Sequence, residues 1–360
     1  MITRRNTIML KKIGFMLPGI VLLLALALGC ASTTTTSSNE VGIRTGTYSY
    51  LGTQSPGDVW NWTIGEGTFM GTNETQAKYY SGTFITFTSG FNKATIRATN
   101  DSGVPTDGTG TAYFLEYPNT LLVVKPADDD SVIVCCARAA TAPAAGQYNF
   151  VNIPWPSWTS ASSTFGTVEV SAAGGLFSFN VKSYDLYGNP VGANLESGFS
   201  FSNGKLIKAG NPLQIFMTPS GAFLGDNGPG YGGFVGVANQ SIGPTAVAGK
   251  QYRGVLFSYD VTSHHGLIEA IGAEPHPGKS NALQGFTFSD IDHNIRETEG
   301  VTLEFGAQAG NGIIAGSMTH RNGTIDSFNM VASQVGGKYI VFGISTDGHG
   351  RPQNFLVVEK

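Results

Sequence analysis

The chain repeats itself at domain length, and this restricts its fold more than any single stretch does. Gly46-Thr47-Tyr48 and Gly146-Gln147-Tyr148 each open a segment, and Gly249 to Tyr252 opens a third with one extra residue. Each segment closes with an apolar run, a turn-rich loop containing Asp, and a second apolar run. The closing pairs are 121–124 with 132–137, 222–224 with 234–238, and 339–344 with 355–358. Pro118 and Pro219 precede the first two pairs at equivalent places, about one hundred residues apart. Periods of roughly 20 to 50 residues belong to solenoids and propellers, whereas a period of about 100 to 115 is the size of a unit that encloses its own core.

Inside the segments the periodicity is two. Ala94, Ile96 and Ala98 alternate with Lys93, Thr95, Arg97 and Thr99; Phe177, Phe179 and Val181 alternate with Ser178, Asn180 and Lys182. Leu303, Phe305 and Ala307 stand against Thr302, Glu304 and Gln308. Such alternation marks half-buried strands of antiparallel sheets. Asn203-Gly204 and Asn322-Gly323 sit between strand-like runs, where a two-residue hairpin turn needs positive φ at both positions. No stretch after the leader has the period of an amphipathic helix. The expected fold is therefore all-β: three tandem antiparallel domains of small barrel or sandwich type over 46–140, 146–241 and 247–360. Thr141–Ala145 and Ile242–Ala246 read as linkers. Barrels and sandwiches both hide sheet edges, and alternation does not separate them. A single β-propeller with two blades per repeat is the alternative.

The first thirty residues address a different question. Arg4, Arg5, Lys11 and Lys12 give a basic start, an apolar run extends from Ile13 to Leu28, and Gly29 precedes Cys30. This is the layout of an export signal. Leu26-Ala27-Leu28-Gly29-Cys30 resembles the lipobox of bacterial lipoproteins. The resemblance implies that residues 1–29 are removed and that Cys30 becomes the first residue, carrying acyl chains on its thiol and amine. It also implies anchorage in the cell envelope, and Ala31 after the cysteine resembles the outer-membrane class. The apolar run is short for a span of ~20 residues and contains Pro18, and the Ser- and Thr-rich residues 30–45 read as a flexible tether.

Removing the four basic residues of the leader from the chain's 21 leaves 17 against 25 acidic residues, a net charge of −8. No basic cluster remains to neutralise phosphates, so a nucleic-acid partner is not expected. Charged residues make up only 13% of the chain and glycine contributes 49 residues, which suits short strands and tight turns. Once Cys30 is acylated only Cys135 and Cys136 are left, too few for a disulfide framework.

The candidates for chemistry are sparse. Cys135 aligns with Val237 and Val358 of the other segments, which favours core packing over redox work, and neighbouring residues on a strand point to opposite faces. All six histidines fall in the third segment, and His264, His265 and His293 are the candidate metal ligands. None has the spacing of a zinc motif, so turn and surface roles are the simpler reading. Gly272 to Gly278 followed by Lys279-Ser280 misses the phosphate-loop spacing, and Pro275 and Pro277 remove N–H donors it would need. Trp60, Trp62, Trp155 and Trp158 are candidate ligand-stacking residues, with core packing as their simpler role. No G-x-S-x-G, C-x-x-C or H-E-x-x-H occurs, and no cofactor is implied. The expected protein is a lipid-anchored envelope or cell-surface protein with a non-enzymatic binding or structural role, meeting the membrane through its anchor and an envelope protein or glycan as partner. A carbohydrate-active or other β-fold hydrolase and a metal binder are the alternatives.

Overall fold

The computed structural model describes residues 48–54, 58–65, 67–86, 92–127, 132–153, 164–218, 220–226, 233–260, 265–290, 295–296, 300–346 and 352–360. They form three closed eight-stranded antiparallel rings in chain order. The first runs from β1 (Tyr48–Gln54) to β8 (Ile133–Ala137), each strand pairing with the next and β8 closing on β1. The second runs from β9 (Gly146–Ile153) to β16 (Gly233–Ala238) and closes the same way. The third runs from β17 (Tyr252–Asp260) to β25 (Pro352–Glu359), with β20 (Ile295–Arg296) as a two-residue appendage on β19 (Ala282–Asp290). The three expected β domains are barrels, and a propeller is excluded. Among the described residues the one helix is α1 (Pro244–Ala248), within the stretch read as the second linker.

Turn chemistry sets the hairpins. Asn203 and Gly204 have φ of 51° and 83°, as a two-residue turn of this hand requires. Asn322-Gly323 differs: only Gly323 has positive φ, and the Asn322 side chain accepts from the Thr324 N–H at 2.9 Å inside a longer loop. Two Gly-Gly pairs, 174–175 and 336–337, make the two-residue turns instead. In β21 (Val301–Gln308) the alternation fails after Phe305, where a bulge turns Ala307 outward. Gln308 is thereby aimed at the second linker, its Oε1 accepting from the Ile242 N–H at 2.8 Å and its Nε2 donating to Gln240 O at 2.8 Å.

The apolar runs that close each repeat do not alternate because both of their faces are buried. In β7 (Leu121–Pro126) Leu122 and Val124 face the interior of the first barrel, while Leu121 and Val123 face a common core outside it. That outer core also takes Leu224, Val235 and Val237 from the second barrel and Phe342, Leu356 and Val358 from the third. The barrels are consequently not beads on a string, and residues 41–360 form one compact unit.

The same register corrects the alignment of the cysteines. Cys135 lies opposite Gly52 and Cys136 opposite Leu51, while Val357 lies opposite Gly254 and Val358 opposite Arg253. Gly52 and Gly254 are equivalent, since a Cβ on either would fall 2.1 Å from Val134 O or 1.9 Å from Leu356 O. Val358 therefore matches Cys136, not Cys135, and in the second barrel Val237 does too, facing Ala222 as Cys136 faces Leu121. Cys135 packs inside the first barrel and Cys136 in the outer core; both are free thiols, raised well above their ordinary pKa by burial.

Candidate ligand site in the second barrel

The three barrels differ in what fills them. In the first, Trp60 and Trp62 stack with centroids 5.3 Å apart and 12° between planes, and Trp62 meets the edge of Phe114 at 5.6 Å. Phe69 and Phe84 complete the packing, at 4.6 Å and 5.0 Å from Phe114. Trp60 is 6% exposed and Trp62 fully buried. Neither indole is available as a surface ledge for a ligand. The interior of the third barrel is packed by Tyr252, Phe305, Met318, Phe328, Met330 and Phe355, with Val247 and Ala248 of α1 buried among them. Tyr252 Oη donates to Val247 O at 2.8 Å, which fixes α1 there.

The second barrel keeps an open interior of about 690 Å³, inside the ordinary range for small-molecule sites. As in the other two barrels, glycines let aromatic rings lie flat against the neighbouring strand: a Cβ on Gly166 would fall 2.6 Å from Phe150, one on Gly236 2.3 Å from Phe223, and one on Gly225 1.8 Å from Phe234. The wall is also incomplete on one side. β12 (Pro190–Ser202) pairs with β11 (Leu176–Tyr184) along its length, yet only Ser200–Ser202 pair with the three-residue β13 (Lys205–Ile207) on the other side. Beyond β13 the segment 208–213 meets β12 at Glu196 and Phe199 through Lys208 and Asn211, and it includes Pro212, which has no N–H to offer a ladder.

The lining is divided between apolar and polar. Phe150, Val168, Val170, Phe179, Ile215 and Met217 supply apolar walls, and Tyr148 marks one end. Its Oη donates to Ala144 O in the first linker at 2.9 Å, and burial raises its pKa, so the phenol remains a donor. Asn152 and Ser183 line the opposite end, and Asn194, Glu196 and Asn211 cluster beside β12. Glu196 Oε1 accepts from Asn194 Nδ2 at 3.1 Å; Oε2 accepts from Asn211 Nδ2 at 3.4 Å and from Lys208 Nζ at 3.5 Å. Among the described residues Glu196 is the only charged side chain in the lining, and no histidine, cysteine or second carboxylate joins it there.

Of the residues singled out from the sequence that are described, none lines this cavity. Cys30, Trp155, Trp158, His264 and His293 lie outside the described residues, and His265 begins β18 (His265–Pro275). His276 Nδ1 accepts from the Gly278 N–H at 3.0 Å, and His320 Nε2 stands 2.9 Å from Asp326 Oδ2. Among the described residues no group of three or more His, Cys, Asp or Glu side chains is placed to hold a metal, and no helix is long and apolar enough to cross a membrane.

No family model matches the chain, and no curated protein matches it in sequence. A protein of unknown function from the DUF3598 family of Nostoc punctiforme, known from a crystal structure, matches with a TM-score of 0.23 and 9% identity over 91% of this chain and 100% of its own. A likeness of that size bears on neither fold nor function.

Proposed function

We propose that the chain is an exported, lipid-anchored envelope protein with a non-enzymatic role, and that its second barrel binds a small apolar molecule. One observation carries the binding role: the second barrel, whose interior is lined by aromatic rings like those of its neighbours, encloses about 690 Å³ between apolar walls. Maintaining such a space forfeits packing contacts that neighbouring barrels of the same plan make, and a ligand restores them. Binding fits the described lining better than catalysis does, because among the described residues Glu196 has no second carboxylate or histidine beside it with which to divide acid and base roles. The anchor rests on the lipobox resemblance at Cys30, which would hold the barrels at the membrane surface.

The binding role is tested with N-phenyl-1-naphthylamine, whose fluorescence rises in apolar surroundings. One saturable site per chain is expected, and Val181→Trp, which places an indole in the lumen, should weaken it by about tenfold or more. Absence of saturable binding, or undiminished binding by a folded V181W chain, overturns this role. For the anchor, Cys30→Ser should abolish metabolic labelling by a fatty acid; a labelled variant overturns it.

A further inference from the structure

We propose that Glu196 reads the polar end of the ligand, and that the second barrel takes an amphipathic molecule with a hydrogen-bond donor at its head, an amine or a hydroxyl, in preference to a carboxylate-headed lipid. The inference rests on the cavity being a binding site. Glu196 pairs with Phe179 across the β11–β12 ladder, so its side chain shares the inner face with that buried ring, well inside the polar end marked by Asn152 and Ser183. Its side chain is 27% exposed and is the only charge among the described lining residues.

An ionised carboxylate accepts hydrogen bonds and donates none. The bonds that Glu196 Oε2 now accepts, 3.4 Å from Asn211 and 3.5 Å from Lys208, are at the long limit for such contacts. Both donors belong to the 208–213 segment that fills the gap in the wall. A ligand ammonium or hydroxyl entering at that gap can approach Oε2 to the shorter distance of a charge-assisted bond, and the long contacts yield at little cost. A ligand carboxylate in the same place meets a like charge inside an apolar barrel. Among the described residues the cation paired with Glu196 is Lys208, which lies outside the lining. The amides of Asn152, Asn194 and Asn211 offer both donors and acceptors and do not discriminate. Selectivity comes from repulsion of the wrong head as much as from attraction of the right one.

The test uses residues 41–360, the compact unit, and displaces N-phenyl-1-naphthylamine with decylamine, decanol and decanoate, which share a tail and differ in the head. Decylamine and decanol should displace the probe at concentrations about tenfold lower than decanoate. In E196Q the amide keeps shape and removes charge, so decanoate should come within about threefold of decanol and decylamine should lose its advantage. Lys208→Met removes the compensating cation and should widen the gap against decanoate. Equal displacement by all three, or an order unchanged in E196Q, overturns the role of Glu196 and leaves the cavity as a binding site. Failure of the probe to bind overturns the cavity reading and this inference with it. An amine that outcompetes the alcohol assigns a cationic ligand; equal potency of the two assigns a neutral hydroxyl.

Discussion

Phe342→Ala is expected to destabilise the whole chain by about 3–5 kcal/mol, the cost of truncating a fully buried phenylalanine where the surroundings cannot collapse. Its ring is 0% exposed and projects from β24 (Lys338–Thr346) into the outer core that the barrels share. The strands around it have little freedom to close the void, since their other faces are packed inside barrels. Polar contacts hold the same seam: the Tyr117 hydroxyl donates to Val335 O, Asn329 Nδ2 to Leu186 O at 2.6 Å, and Asn354 Nδ2 to Asn152 O at 2.9 Å. Chemical denaturation gives the magnitude, and amide exchange gives the distribution, because local openings report which units unfold together. Exchange should rise in the closing strands of all three barrels. A rise limited to the third would show three independent domains.

The repeat and the strands were legible because each leaves a local mark. Alternation records that one face of a strand is buried, and Asn203-Gly204 records a backbone conformation that few other residues adopt. Closure was not legible, since the pairing of β1 with β8 joins residues some eighty positions apart and both barrel and sandwich satisfy the same alternation. The closing runs held more information than their strand assignment used. Leu121–Val124 and Ala222–Leu224 lack a polar face, which in an antiparallel sheet means a second layer outside the barrel and hence association of the three units. The cysteine alignment shows how narrow the margin is. A shift of one residue exchanges the inside of a barrel for the outer core, and no side chain in Cys135-Cys136 distinguishes the two.

The site was harder to see for a physical reason. Glu196 stands in Gly192-Ala-Asn-Leu-Glu-Ser-Gly198, which reads as an ordinary solvated strand, and its partners Lys208 and Asn211 are 12 and 15 residues away. What makes it inward-facing and accessible is the shortness of β13, and that has a trace in the sequence: the apolar pattern after the Asn203-Gly204 turn stops at Ile207 and is followed by Gly210-Asn211-Pro212. A hairpin whose second strand ends so soon leaves most of the first without a neighbour. The tryptophans attracted attention through their size, yet size suits filling a barrel equally well. The deciding residue was a glycine across the ladder, Gly71, where a Cβ would fall 2.5 Å from the Trp62 indole.

Trp62→Ala should separate the two kinds of core. The indole is fully buried at the centre of the first barrel, in a cluster drawn from that barrel alone, so its loss should cost about 3 kcal/mol, toward the lower end of the range for large aromatic truncations. The lower end is expected because Trp62 Nε1 is buried without an acceptor among the described residues, and removing such a donor recovers part of its desolvation cost, about 1–3 kcal/mol. Exchange should rise within the first barrel and remain low in the outer core, opposite to the pattern for Phe342→Ala. The vacated space is apolar, lined by Trp60, Phe69 and Phe114 against Gly71, and dry cavities of that kind admit apolar guests. The variant should therefore bind a second N-phenyl-1-naphthylamine per chain, since emptying the first barrel gives it what the second already has. A loss below ~1 kcal/mol, or a stoichiometry that stays at one in the folded variant, would show that something other than the filling of the lumen distinguishes the barrels.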